Sequence, residues 1–255
     1  MEQAVMPVEK RAHETVIEID ASIQDVWRAI TDPEWISKWF APVMKVEPGA
    51  GGYMIADWGP GMEWRTMIEV WESERRLTTA ETRDRVFAPV DADKMQPCRL
   101  VQDWTLESKE GRTVLRLVHS GFGSGDGWDH EFEGTREGWR GCFFRLKTWM
   151  EGHRNDSVHN RIVTRLCPGL EPEAALARIE PEAGPLRVHM RDRLHLCGTV
   201  PEWNGGILNI SVQRVASGAM AYAEMVLYGM TDERASQIER LWAGKLSQLF
   251  PEKAA

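Results

Sequence analysis

The segment VWRAITDPEWISKWFAP (Val26–Pro42) contains three tryptophans within thirteen residues and predicts two short helices. Ser22 lies just before it and is a suitable N-cap for the first helix, whose apolar residues recur at helical spacing. Asp32 caps the second helix, and Pro33 takes its first position, where the missing N–H costs no hydrogen bond. Because an alternating, β-branched run precedes both helices at Glu14–Asp20, the chain opens as strand, helix, helix.

Beyond Pro48-Gly49 the sequence predicts an antiparallel sheet. Five runs are rich in alternating, β-branched or aromatic residues, namely GGYMIADWG, EWRTMIEVWES, RRLTTAETRD, LVQDWTLES and TVLRLVHSG. The breaks between them are Gly59-Pro60-Gly61, Ser73-Glu74, a longer loop through Pro89 and Pro97, and the turn KEGR. Since each break carries turn residues, neighbouring runs are expected to pair as a meander.

A long helix is predicted from about Asp129 to Gly152, because six apolar side chains trace one stripe along it. They are Trp139, Cys142, Phe143, Leu146, Trp149 and Met150. A single antiparallel sheet has to bury one face, and a long helix laid across a curved sheet does so. We therefore expect an α+β domain, an arrangement that often leaves a cavity between sheet and helix.

The second half of the chain repeats this order in reduced form. Its runs read as a strand, a helix, three strands and a final helix capped by Thr231, namely NRIVTRL, EPEAALARI, LRVHMRDRLHLCG, GILNISVQR, MAYAEMVLYG and TDERASQIERLWAGKLSQLF. We predict a first domain over residues 1–155 and a smaller α+β unit over residues 156–255. The smaller unit is interpreted as a degenerate repeat that lacks about two strands and one helix and packs on the first domain. The alternative is a simple extension of the first domain.

Five motifs in order give the chain a family resemblance. They are VWRAITDPEWISKWFAP, Gly51-Gly52, IEVWESERRL, LRLVHSGFG and EGWRGCFFRLKTW. Together they resemble the homologues of the activator of the heat-shock protein 90 ATPase, which belong to the START-like, or SRPBCC, helix-grip superfamily. The resemblance covers roughly Glu14 to Gly152. It implies a curved antiparallel sheet wrapped on a long C-terminal helix, followed here by a smaller, degenerate helix-grip-like unit.

The sequence departs from the family at Ser73-Glu74, where members usually carry two prolines before the Arg-Leu of the central hairpin. We interpret this as a different turn within the same fold. The resemblance implies less about function, because the superfamily includes lipid carriers, hormone receptors and polyketide cyclases.

Composition narrows the classes of partner. A net charge of -8, with 27% charged and 42% hydrophobic residues, gives no basic footprint for nucleic acid or an anionic membrane. The four cysteines are far apart and form no zinc or disulfide pattern, which favours a reducing, cytoplasmic location. The N-terminus lacks the apolar core of a signal peptide, and no membrane span is predicted. We expect no cofactor and no metal, whereas a homodimer or a chaperone contact is compatible with the sequence but unsupported by it.

His119 ends the strand LRLVH on the same face as Leu115 and Leu117, so alternation places it on the helix-covered side. As a functional group it would act as a general acid or base, or donate to a ligand carbonyl. As a structural group it would bond a backbone carbonyl and order the glycine-rich loop that follows. The resemblance favours the structural role, because family members of diverse function carry a histidine here. We therefore treat His119 as a pocket residue first and a catalyst second.

Glu69 interrupts an apolar strand, and Glu63 and Asp57 lie on neighbouring runs. Two of these carboxylates in one cavity would repel each other and lose solvent, so one pKa would rise and an acid/base pair would form. The alternative, favoured by the scarcity of unpaired buried carboxylates, is that Glu69 faces solvent or pairs with an arginine. If the protein is an enzyme, His119 and Glu69 are the catalytic candidates.

The segment GSGDGWDHEFEG (Gly123–Gly134) gathers five side chains that can bind metals. They are Asp126, Asp129, His130, Glu131 and Glu133. Their spacing matches no calcium loop or zinc helix, and the acids are better explained as caps that favour the helix dipole. The glycines are expected to form a flexible lid at the cavity mouth, with Phe122 and Trp128 as its apolar contacts.

The twelve tryptophans, against three tyrosines, either fill a large interior or line a pocket for a flat ligand. In the opening segment we expect Trp27 in the core, Trp35 at the junction of the two helices, and Trp39 with Phe40 against the ligand. The residues predicted to bind ligand are Trp39, Phe40, Met54, Trp58, Ile68, Trp104, Leu117, His119, Phe122, Trp128, Trp139 and Phe143.

Three functions are compatible with these residues. The principal hypothesis is binding of a small apolar or aromatic molecule, which predicts an apolar cavity with few buried carboxylates. A cyclase, dehydratase or hydrolase would instead bring His119 and Glu69 or Asp57 to one point in that cavity. A chaperone-associated or regulatory interaction protein would show a filled cavity and an exposed apolar patch.

Overall fold

A computed structural model describes residues 11–59, 63–81 and 98–251, except for the side chains of residues 126, 127 and 130. The chain forms two compact units, Met1–Glu151 and Gly152–Ala255. The predicted break at Pro60-Gly61, the loop through Pro89 and Pro97, and the end of the run RRLTTAETRD lie outside the described residues. In the described part of the chain, no helix is long and apolar enough to cross a bilayer.

The described part of the first unit is a seven-stranded antiparallel sheet with three helices. Its strands are β1 (Arg11–Ile19), β2 (Val43–Glu47), β3 (Tyr53–Asp57), β4 (Glu63–Glu72), β5 (Arg76–Glu81), β6 (Val101–Lys109) and β7 (Arg112–Phe122). Helices α1 (Ile23–Thr31) and α2 (Pro33–Ile36) lie between β1 and β2, and α3 (Asp126–Thr148) follows β7. The strand order is β1-β7-β6-β5-β4-β3-β2, which confirms the predicted meander and the α+β class.

Both short helices begin at the predicted caps. The Ser22 hydroxyl accepts from the Asp25 N–H at 3.1 Å. The Asp32 carboxylate accepts from the N–H groups of Glu34 and Trp35 at 2.9 and 3.4 Å, with Pro33 at the first helical position. Each acceptor satisfies an N–H that the helix itself leaves without a partner.

The long helix α3 begins at Asp126, three residues before the predicted start, and Gly125 occupies its N-cap position without a side-chain hydrogen bond. The expectation that an acid caps this helix is therefore wrong. The helix continues as a π-helical turn, Trp149–His153, and all six side chains of the predicted apolar stripe are buried.

Two strand assignments differ from the prediction. β2 was not predicted, and its burial alternates only between exposed and half-buried side chains, so the run carries little hydrophobic signal. The run LRVHMRDRLHLCG is two strands rather than one. The Asp192 carboxylate accepts from the N–H groups of Leu194 and His195 at 2.7 and 3.0 Å, and this local turn separates them.

The tryptophans of the opening segment have three different surroundings. Trp27 is buried and meets Trp71 edge to face, with ring centroids 5.3 Å apart. Trp35 meets Trp149 of the π-turn in the same way at 5.4 Å. Trp39 is 3% exposed, and its indole N–H donates to the Ala29 carbonyl of α1 at 2.8 Å. The first two rings anchor the helices, and the third ties the end of α2 to α1.

The second unit is a five-stranded antiparallel sheet with two α-helices and its own hydrophobic core. Its elements are β8 (Val158–Pro168), α4 (Pro172–Ile179), β9 (Arg187–Arg191), β10 (His195–Val200), β11 (Gly206–Val215), β12 (Gly218–Tyr228) and α5 (Asp232–Leu249). The strand order is β8-β12-β11-β10-β9, so its first strand also pairs with its last. This unit has two strands and one α-helix fewer than the first. Its descent from a repeat stays a proposal.

Candidate functional site

A cavity of about 40 Å³ lies in the first unit, among side chains from α1, α2, the sheet and α3. Its lining residues are Ile30, Ile36, Trp39, Phe40, Met44, Met54, Ala56, Trp64, Thr66, Leu77, Thr79, Gln102, Trp104 and Trp139. No described lining residue carries a charge. The volume admits a few water molecules, whereas pockets for drug-sized ligands measure roughly 300–1,000 Å³.

Four lining side chains are half-buried, and the other ten are buried. The four are Phe40, Met44, Met54 and Trp64, and because they are the partly exposed lining residues we call them the rim of the cavity. Unbranched methionine side chains adapt readily to the shape of a neighbour, so this rim can change shape at low cost. The cavity is therefore closed by side chains that are themselves partly solvent-accessible.

A row of buried polar side chains crosses the sheet on its helix-covered face. Thr79 of β5 is paired in register with Gln102 of β6, Gln102 with His119 of β7, and His119 with His13 of β1. Register partners on neighbouring strands point to the same face, so these four side chains lie side by side. They are 1%, 3%, 1% and 7% exposed, in that order. Thr79 and Gln102 lie on the cavity wall, and the two histidines lie beyond it.

The Gln102 amide is incompletely paired. The Thr79 hydroxyl donates to its Oε1 at 3.2 Å, while Nε2 is buried and has no hydrogen-bond partner among the described residues. An apolar cavity thus has a polar group with unused hydrogen-bonding capacity on its wall.

His119 is tied to the long helix. The Trp139 indole N–H donates to its Nδ1 at 3.0 Å, and its Nε2 lies 3.7 Å from a carboxylate oxygen of Glu81. Since an indole can only donate, neutral His119 carries its proton on Nε2. Protonation of Nδ1 would place two donors face to face, so this nitrogen is blocked as a general base.

His13 is the second histidine of the row, and its ring lies 5.3 Å from that of His119. The Thr135 hydroxyl donates to the Glu131 carbonyl at 2.8 Å and is therefore the acceptor for His13 Nε2 at 3.2 Å. Nδ1 is left buried with no partner among the described residues. Burial, followed by the positive charges of a protonated His119 and Arg136, lowers the pKa of His13 to about 4.

The three candidate carboxylates do not meet His119. Glu69 is exposed and forms an ion pair with Arg99, as the alternative interpretation expected. Glu63 is also exposed, and the half-buried Asp57 carboxylate accepts from the Gly59 N–H at 2.7 Å. None of these three carboxylates therefore forms the predicted acid/base pair with His119, and the carboxylate next to His119 is that of Glu81, which is not on the cavity wall.

The glycine-rich segment before α3 packs against a separate aromatic cluster. Phe122 and Trp128 are buried with Leu100, and none of the three lines the cavity. Gly123 is required there, because a Cβ atom at this position would lie 2.6 Å from the Trp128 indole nitrogen. Among the described residues, no three His, Cys, Asp or Glu side chains are close enough to share a metal ion.

The model of the family called Activator of Hsp90 ATPase homolog 1-like protein matches residues 20–151, about half of the chain. The chain belongs to this family. The match confirms the resemblance, and with it the helix-grip fold of the first unit. All the residues that line the cavity lie within the matched part of the chain.

Three solved structures are similar to this member of the family at low sequence identity. The Aha1 dimer from Colwellia psychrerythraea is 15% identical with a TM-score of 0.47, covering 56% of this chain and 97% of that one. DynU16, from the dynemicin biosynthetic locus, is 17% identical with a TM-score of 0.46, covering 92% and 96%. CalU16 from Micromonospora echinospora is 20% identical with a TM-score of 0.43, covering 58% and 86%. No curated protein matches the chain.

The residues predicted to bind ligand fall into two groups. Five line the cavity, namely Trp39, Phe40, Met54, Trp104 and Trp139. Seven lie outside its wall, namely Trp58, Ile68, Leu117, His119, Phe122, Trp128 and Phe143. Trp58 contacts Phe40, and Phe143 stacks on Trp104 with ring centroids 5.7 Å apart, so these two support the wall from behind.

Gln102, Thr79 and Thr66 are lining residues that the sequence analysis did not select. A polar residue in a strand suggests a solvent-facing position, and for these three that expectation fails. Gln102 could have been found from the alternation of its strand. It lies two residues before Trp104, so both side chains point to the same face of the sheet.

Proposed function

We propose that the protein binds a small, neutral aromatic or apolar molecule in the cavity between the sheet and α3. The observation that supports this is the Gln102 amide, which has an unpaired polar atom on the wall of an uncharged cavity. Such an atom costs about 1–3 kcal/mol of stability. A ligand hydroxyl or carbonyl would form a hydrogen bond with this atom. Binding would then remove the destabilisation, strengthen ligand affinity and fix the orientation of the ligand.

The catalytic alternative has less support. No carboxylate is found among the described lining residues, and Glu69 lies outside the wall in an ion pair with Arg99. His119 does not line the cavity, and its Nδ1 is occupied by the indole N–H of Trp139, which does. Binding without turnover therefore accounts best for this set of groups.

The interaction alternative fits the small cavity volume but not the surface. Among the described residues of the first unit, the exposed large apolar side chains are Val16, Val43 and Met67. Val16 lies on β1 and Val43 on β2, which are opposite edges of the sheet, so they form no continuous patch with Met67 of β4. All four cysteines are free thiols, which supports our placement of the protein in the cytoplasm.

The proposal is tested by native mass spectrometry for a co-purifying small molecule, followed by titration with 2-naphthol and naphthalene, which differ by one hydroxyl. We expect Gln102→Met to weaken 2-naphthol binding about ten-fold and to leave naphthalene binding nearly unchanged, because only the hydroxyl uses the amide. Gln213→Met is the matched control, since Gln213 is exposed on β11 of the second unit.

Two results would contradict the proposal. One is a protein that always purifies without a bound molecule and gains no thermal stability from any compound in an apolar panel. The other is equal 2-naphthol affinity for the wild type and Gln102→Met, which would leave the amide with a structural role only.

A further inference from the structure

Phe40 occupies an aromatic cage at the rim of the cavity. Its ring lies parallel to that of Trp139, with an interplanar angle of 2° and centroids 5.5 Å apart. Three further indoles surround it, with centroid distances of 5.2 Å to Trp58, 5.4 Å to Trp39 and 5.8 Å to Trp64. Stacked and edge-to-face contacts at these distances are those that aromatic rings prefer.

The backbone of Phe40 lies in the irregular segment between α2 and β2. Its N–H donates to the Ile36 carbonyl at 2.9 Å, and its carbonyl accepts from the Trp58 indole N–H at 3.3 Å. Neither contact belongs to a strand ladder, so the ring can leave the cage without breaking the sheet. Phe40 as a whole residue is half-buried.

The cage and Gln102 belong to one cavity, since Phe40, Trp64, Trp139 and Gln102 all contribute to its lining. Phe40 is the rim residue whose ring lies against the rings of four tryptophans, namely Trp39, Trp58, Trp64 and Trp139. Removal of the Phe40 ring would leave a space with the size and shape of a benzene ring, lined by indole rings.

We infer that Phe40 is an internal substitute for the ligand. The natural ligand carries a planar, uncharged aromatic ring that takes the place of the Phe40 ring among the indoles, and an oxygen that pairs with the Gln102 amide. Phe40 moves toward solvent when this ring enters. The inference rests on the proposed function, and it adds the class of ligand and the side chain that competes with it.

The test uses the full chain and a matched pair of probes, benzyl alcohol and its saturated, non-planar counterpart cyclohexylmethanol. We expect Phe40→Ala to bind benzyl alcohol at least ten-fold more tightly than the wild type, because the probe no longer displaces a ring. Cyclohexylmethanol should gain much less. Phe132→Ala is the control, since Phe132 is also half-buried but contacts His13 and Phe122 rather than the cavity.

Phe40→Leu provides a second variant should Phe40→Ala fold poorly, because it keeps an aliphatic side chain in the core. Its affinity for benzyl alcohol should lie between those of the wild type and Phe40→Ala. The inference is overturned if neither variant binds benzyl alcohol more tightly than the wild type, or if tetramethylammonium binds in preference, which would make the cage a cation site.

The outcomes separate the two proposals. If the wild type binds 2-naphthol through Gln102 and the Phe40 variants gain nothing, ligand binding stands and the substitution by Phe40 is wrong. If the wild type and both Phe40 variants bind no aromatic probe, both proposals are wrong.

Discussion

We expect the stability of the protein to depend on pH through His13 of the buried polar row. Its pKa of about 4 lies below the ordinary value of 6.5, so between these values the unfolded chain binds a proton that the folded chain does not. The stability contributed by neutral His13 is thus complete above pH 6.5 and is lost progressively as pH falls towards 4. We expect this loss to be about 2 kcal/mol of unfolding free energy.

The measurement is denaturant unfolding from pH 4.5 to 7.5, followed by tryptophan fluorescence. His13→Phe should flatten the pH dependence, and Thr135 keeps its bond to the Glu131 carbonyl in this variant. His189→Phe, at an exposed position on β9, should leave the dependence as it is. Identical pH profiles for His13→Phe and the wild type would show that another group causes the loss.

Single residues of the site were predictable only where packing follows from hydrophobicity. Trp39, Trp104 and Trp139 are large apolar side chains in phase with their neighbours, and the structure places all three on the cavity wall. Gln102 could not be selected by hydrophobicity, because it is polar, and only its phase with Trp104 indicated an inward position. Which rings face a cavity and which only fill the interior is decided by three-dimensional packing, as Phe122 and Trp128 show.

Asp32 joins two elements. Its N–H caps α1 by donating to the Arg28 carbonyl at 2.8 Å, and its carboxylate caps α2. We expect Asp32→Ala to lower the unfolding free energy by about 1–2 kcal/mol and to speed hydrogen exchange at the Glu34 and Trp35 amides. Asp32→Asn keeps the acceptor and should cost much less. Equal losses for both variants would point to the charge pairing with Arg28 rather than to the cap.

Elements with strong local signals were predictable, and those with weak signals were not. The caps of α1 and α2, the stripe of α3 and the strands β6 and β7 follow from spacing and alternation. β2 has only five residues and no buried side chain, so its pairing with β3 depends on the rest of the sheet. The start of α3 was misplaced because a glycine, rather than an acid, precedes it.

The two units share one plan of connections, and each has its own core. In the second unit Trp242 is 2% exposed, while its neighbour Leu241 is 56% exposed. We expect Trp242→Ala to destabilise this unit by about 3–5 kcal/mol, and Leu241→Ala to change its stability little. Hydrogen exchange should increase in peptides from residues 152–251, with 2-naphthol affinity unchanged. An equal loss of protection in peptides from residues 11–59 would show that the units unfold together.

The polar row also has a consequence for folding. β1 and β7 are joined across 102 residues, for example by the ion pair between Glu14 and Arg116 on the outer face. A slip of one residue would turn Glu14 and Glu18 under the helix, and a slip of two would break both outer ion pairs and separate the histidines. Strands that are distant in sequence pair slowly during folding, so a misaligned pairing of β1 with β7 would delay folding. The outer ion pairs therefore favour the one alignment of β1 on β7 that places His13 beside His119 in the buried row.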